Sequence, residues 1–175
     1  MKQLFTVALL AVLFVSCKKE KDGQDSQGTD FTSIRKYDVD ANFLGTLGNA
    51  TDDYRQEEWP NWVIDLFKPL DTVSLVGYLE SECAVDRLYP NPCANNQTMR
   101  YFATQPANLK ILIVDEFKNA YFLKSYHAYS SQRTIEFDYS DLGLQPNTFY
   151  RMFYAFSAED KPYFVRGHID ILKSQ

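Results

Sequence analysis

What most constrains this chain is a train of short apolar runs between Leu88 and Leu172, each cut off by turn residues. Val, Ile, Thr, Tyr and Phe fill the runs, while Asn, Pro, Gly, Asp and Ser fill the gaps, as in paired strands. The runs fall near residues 84–89, 97–103, 109–116, 120–126, 133–138, 148–157 and 162–172. Seven strands at a spacing of about ten residues predict an all-β fold, an antiparallel β-sandwich. Two of the runs, 109–114 and 148–156, are apolar on both sides, which suits strands lying mid-sheet beneath a second layer. In the later run the period of two puts Phe149, Phe153 and Ala155 on one side and Tyr150, Met152, Tyr154 and Phe156 on the other. One set fills the sandwich, and the other needs a cover.

A candidate cover lies upstream. Trp59, Trp62, Val63, Leu66 and Phe67 recur at the spacing of one helix face and predict a short helix over 58–67. Pro60 suits the first helical turn, Glu57 and Glu58 lie at the positive end of the dipole, and Pro69 closes the segment. Two tryptophans in one turn also suit a sugar platform, so Trp59, Trp62, Tyr150 and Tyr154 are candidate ligand-facing aromatics. Packing of the same stripe against the sheet is the competing reading. Residues 34–49 lack clear periodicity and read as irregular chain with one short strand, and 71–79 reads as a further strand.

The chain begins with an address. Leu4–Val15 is an apolar run preceded by Lys2, too short to cross a bilayer and suited to the core of a secretory signal. It ends at Val15-Ser16-Cys17 and switches at once to Lys18-Lys19-Glu20-Lys21-Asp22. This resembles a bacterial lipoprotein signal, most like those of the Bacteroidetes, and implies lipidation of Cys17 as the mature N-terminus. At least two acyl chains would then give stable attachment to the outer membrane, facing the periplasm or the cell surface. Residues 17–33 hold one aromatic and no aliphatic side chain and predict a flexible tether, with a reach of about 50 Å at roughly 3.3 Å per residue. The expected organisation is a signal peptide over 1–16, the tether over 17–33, an irregular and helical segment over 34–82, and a sandwich over 83–175.

The residues from Tyr89 onward carry a second resemblance. Tyr89-Pro90-Asn91-Pro92, Ile113-Val114-Asp115-Glu116-Phe117, Asp141-Leu142-Gly143 and Asn147-Thr148-Phe149-Tyr150 follow the order seen in type IX secretion C-terminal sorting domains. The resemblance covers about the last 85 residues and implies an Ig-like sandwich. Lys118-Asn119 stands where those domains have a hairpin glycine, and Asn147 stands where they have a glycine before the aromatic. The fold is carried over, and the sorting role is not. Asp71-Thr72-Val73 also matches the pattern at which Bacteroidetes glycosylate exported proteins, on the Thr72 hydroxyl.

Export would place Cys83 and Cys93 in an oxidising compartment as an even pair, candidates for a disulfide. Against the bridge, a straight strand over 84–89 separates its ends by about 20 Å, whereas bridged cysteines need Cα atoms within roughly 7 Å. The turn at 90–93 would have to fold back along that strand.

Chemistry is sparse. His127 and His168 are read near strand ends without a Cys or carboxylate at ligand spacing, so no zinc site is predicted. Asp138 and Asp141 beside Gly143 suit a polar turn better than calcium. No nucleotide-binding loop, nucleophile elbow or metalloprotease motif occurs, so neither enzyme activity nor a cofactor is expected. A formal charge of −5 argues against a nucleic-acid partner. The sequence thus predicts a lipid-anchored, non-catalytic Ig-like module of the cell envelope, binding an envelope protein or serving in envelope structure. The alternative is an aromatic carbohydrate-binding lipoprotein of a glycan-uptake system. A hydrolase fragment is the third reading.

Overall fold

The computed structural model describes residues 31, 33–50, 53–54, 58–70, 83–104, 106–129, 133–158 and 161–175, with main chain alone at 158 and 161–164. Cys17, the signal peptide, nearly all of the tether, Thr72 and the strand read over 71–79 lie outside the described residues.

Seven of the strands make the sandwich: β3 (Cys83–Tyr89), β4 (Asn96–Ala103), β5 (Ala107–Val114), β6 (Ala120–Ala128), β7 (Thr134–Asp138), β8 (Thr148–Ala158) and β9 (Lys161–Lys173). One sheet runs β3-β4-β7 and the other β6-β5-β8-β9, and every pairing is antiparallel. The fourth sandwich strand, β6, therefore joins the sheet of β5 rather than that of β4. Val85, Leu88, Met99, Tyr101, Ile135 and Phe137 from one sheet meet Leu109, Ile111, Ile113, Tyr150, Met152, Tyr154 and Phe156 from the other in one buried core. The alternation within β8 divides as its sequence predicts, because Phe153 and Ala155 face the opposite way.

That outer face is covered by α1 (Asn61–Phe67), followed by one 3-10 turn at Lys68–Leu70. Val63 and Phe67 bury against Leu112, Val114, Phe153 and Ala155. Trp59 stacks on Phe67 at 4.8 Å between ring centroids and meets Phe153 edge-on at 5.9 Å. The helix is shorter than its apolar stripe. Pro60 is extended (ψ 151°) and caps the helix from outside, its carbonyl accepting from Val63 N at 3.0 Å. Trp59 consequently reaches the sheet from the chain before the helix.

Residues 34–47 form a hairpin, not irregular chain with a single strand. β1 (Ile34–Tyr37) pairs with β2 (Phe43–Leu47). The turn is built by Asp38, whose Oδ1 accepts from Asp40 N (3.0 Å) and Asn42 N (2.8 Å), with Ala41 at φ 64°. Side-chain turn chemistry of this kind leaves no hydrophobic period to read. Lys118 and Asn147, which stand where the resembled domains have glycine, both take positive φ, 68° and 56°.

Candidate functional site

β9 ends its sheet, with β8 on one side only. Its other edge is met by short pieces of chain from far away in sequence. Tyr54 N donates to the His168 carbonyl (2.9 Å), and Asp170 N donates to Asp53 Oδ1 (3.0 Å). Asn91 Nδ2 donates to the Asp170 carbonyl (2.9 Å), and Leu172 N donates to Asn91 Oδ1 (3.1 Å). Cys93 N donates to the Leu172 carbonyl (3.0 Å). These groups take the place of a neighbouring strand and close an edge that would otherwise invite pairing with another chain. The Tyr-Pro-Asn-Pro motif thus ends β3 and fastens it to β9.

The same strand carries a buried polar cluster on the face that α1 covers. Arg151 lies opposite Asp170, and Phe153 lies opposite His168. Arg151 grips Asp170 with two parallel bonds, Nε–Oδ1 2.6 Å and Nη2–Oδ2 2.8 Å, and its guanidinium also lies 4.9 Å over the Phe31 ring. Asp53 enters from the chain after the hairpin, its Oδ2 accepting from Arg35 N at 3.2 Å. One ligand-type atom each of Asp53, His168 and Asp170 lie within 4.8 Å of one another, all three residues buried. A divalent cation there would face the Arg151 guanidinium, which already occupies both oxygens of Asp170. The group is an ion-pair clasp. Burial first, and the nearby Asp170 second, push the Asp53 carboxyl up to about 6.

The sequence reading missed this cluster. His168 is not at a strand end without a carboxylate neighbour: it lies within β9, and Asp170, two residues on, shares its face. His-x-Asp inside a strand was the available signal. Asp53 and Arg151 are too distant in sequence to be read into it.

The second candidate place, and an exposed one, is the β1–β2 hairpin. Val39 (72% exposed), Phe43 (59%), Leu44 (59%) and Leu47 stand out of the fold. A groove of about 460 Å³ lies at its base, lined by Arg35, Tyr37, Phe43, Thr46, Asn49 and Ala50. Arg35 Nε donates to the Ala50 carbonyl at 3.2 Å, and its guanidinium lies 5.3 Å over the Tyr54 ring. Arg87 of β3 braces the turn through Nη1 to the Ala41 carbonyl at 3.0 Å.

The predicted ligand-facing aromatics do not gather on a surface. Trp59, Tyr150 and Tyr154 are buried, Trp59 beneath α1 and the two tyrosines between the sheets. Trp62 is half-buried, edge-on to Phe153 at 5.6 Å, with the Lys118 ammonium 5.2 Å over its ring. The stripe is used in packing, so no flat platform remains. Cys83 and Cys93 are buried thiols that are not joined to each other. Cys83 starts β3 opposite Ala103, while Cys93 bridges to Lys173 at the far end of the strand. The turn between them leads toward β9 instead of folding back, and burial pushes the Cys93 thiol up to about 12. Asp138 Oδ1 accepts from Ser140 N (2.9 Å) and Ser140 Oγ (2.6 Å), a side-chain turn. Asp115 does the same at the β5–β6 hairpin, accepting from Phe117 N and Asn119 N at 2.9 Å each.

No family model matches the chain, and no curated protein matches it. Among solved structures it is similar to dimeric latent PorU from Porphyromonas gingivalis, at 22% identity and a TM-score of 0.42. The overlap covers 59% of this chain and 10% of the PorU chain. No helix among the described residues is long and apolar enough to cross a membrane.

Proposed function

We propose that this chain is a non-catalytic Ig-like module of a bacterial cell envelope, held to the outer membrane by lipid on Cys17, that binds an envelope protein through its β1–β2 hairpin. The observation that carries the binding surface is the exposure of Val39, Phe43 and Leu44 on one small two-stranded element, while the aromatic stripes of α1 and β8 are packed inside. Exposed apolar side chains clustered in this way mark contact surfaces. The lipid anchor rests on the Ser16-Cys17 junction after a short apolar run.

Two measurements test the reading. Cys17→Ser should move the protein from the membrane fraction to the soluble one, and a variant that stays membrane-bound through a high-salt wash refutes the anchor. A photo-crosslinking residue at Leu44 should give a discrete protein adduct in cells, with none from Phe102, an exposed side chain on β4. No adduct from either site, or the same adducts from both, refutes the hairpin as the binding surface.

A further inference from the structure

We infer that the clasp joining the hairpin to β9 is a proton-binding device, with Asp53 as its titrating member. Asp53 is the joint itself: one carboxylate oxygen accepts from Arg35 N in β1, the other from Asp170 N in β9. Its surroundings, among the described residues, are unevenly charged. Asp170 of β9 presents a second carboxylate, with an oxygen within 4.8 Å of one on Asp53. The Arg151 guanidinium of β8 is directed bidentately at Asp170. The Arg35 guanidinium of β1 is turned toward the Ala50 carbonyl and the Tyr54 ring. His168 of β9 completes the set, and Tyr54 follows Asp53 in the chain, its hydroxyl oxygen accepting from Leu88 N of β3 at 3.1 Å.

Two buried carboxylates this close, with one directed guanidinium between them, favour uptake of a proton by the less compensated member. That member is Asp53. The two main-chain N–H bonds and the neighbouring His168 ring favour its ionised form, but burial first and Asp170 second outweigh them and raise its carboxyl from 3.8 to about 6. The sign follows directly. A carboxyl raised in the fold binds its proton at higher pH folded than unfolded, so folding gains as pH falls from 7 through 6 toward 4. The gain from this one group is on the order of a hundred-fold in the folding equilibrium. The hairpin should therefore be held more firmly in mildly acidic surroundings than in neutral ones.

The test uses the mature chain with Cys17→Ser. Carbon NMR of the Asp53 carboxyl should titrate near pH 6, and protection of the Arg35 and Asp170 amides against hydrogen exchange should rise between pH 7 and 5. In Asp53→Asn both the titration and that rise should vanish, while His168→Gln should keep them. An Asp53 carboxyl that titrates near 4 overturns the inference. So does a rise that persists in Asp53→Asn, or one that disappears when a chelator is added. The wild-type titration decides the matter even if Asp53→Asn does not fold.

Discussion

Asn91 binds β9 as a strand would: its Nδ2 donates to the Asp170 carbonyl at 2.9 Å, while its own main chain exchanges two bonds with Tyr37 of β1. Because Leu172 N also donates to Asn91 Oδ1, this fully buried carboxamide joins the edge of the four-stranded sheet to the N-terminal hairpin. Asn91→Ala would leave a buried N–H and a buried C=O unpaired, at about 1–3 kcal/mol each. Urea denaturation should show a loss of about 2–6 kcal/mol in all. Asn91→Asp keeps the acceptor and loses the donor, so it should be the more damaging at pH 7 and recover toward the wild type near pH 4. A stability for Asn91→Ala within about 0.5 kcal/mol of the wild type would show the edge to be closed by other means.

Ile111 and Ile113 of β5 lie between the sheets with no exposed surface. Ile111→Ala should cost about 2–5 kcal/mol. Ile111→Asp or Ile113→Asp buries an unpaired carboxylate, a cost of several kcal/mol against a total stability of about 5–15. Circular dichroism on either aspartate variant should show an unfolded chain at 25 °C. Melting within a few degrees of the wild type at both sites would remove β5 from the core.

The Arg151–Asp170 pair gives a prediction with two arms. Removing one partner of a buried ion pair costs about 3–5 kcal/mol because the other charge stays behind. Arg151→Met should therefore be strongly destabilising. Arg151→Met with Asp170→Leu should recover much of the loss, since neither charge then remains in the interior. A double variant no more stable than the single one would mean that the pair is held for its contacts to Asp53 and Phe31.

Thiol counting follows from the buried cysteines. With Cys17→Ser, the protein should show two reactive thiols after denaturation without reductant, those of Cys83 and Cys93. In the native state Cys93 should react slowly at pH 8, because burial holds its thiol well above that pH. No thiols after denaturation would establish the bridge that the geometry disfavours.

The sandwich was legible because its cues are local. The alternation of apolar residues and the turn residues between runs place all seven strands to within two residues of their observed ends. The largest slip, at 107–114, comes from Asp115, which reads as strand but turns the chain with its carboxylate. The facing of β8 and the covering role of 58–67 were readable from period alone. The hairpin at 34–47 was not, since Asp38 and Asn42 shape it through hydrogen bonds that leave no apolar rhythm. The clasp was beyond reach for another reason: Asp53, Arg151 and Asp170 meet only once β9 has its edge covered, with contacting groups up to 117 positions apart in the chain. Cys17 and Thr72 were read from short motifs and lie outside the described residues.

Trp59 separates the packing role of the aromatic stripe from any role in binding. Its ring is buried between Phe67 and Phe153, and Nε1 has no hydrogen-bond partner among the described residues. A buried donor without a partner costs about 1–3 kcal/mol, which offsets part of what the indole gains by burial. Trp59→Phe removes that donor along with some apolar area, so the two changes oppose each other and the net loss should stay below about 1.5 kcal/mol. Trp59→Ala removes the ring altogether and should cost about 3–5 kcal/mol. Trp62→Ala should cost less, because that side chain is only half-buried and its partner Lys118 is a surface residue. Thermal melts of the three variants should rank Trp59→Phe above Trp62→Ala and Trp62→Ala above Trp59→Ala. If Trp59→Phe is instead as damaging as Trp59→Ala, the indole N–H has a partner in the folded protein, and the stripe does more than pack α1 on the sheet.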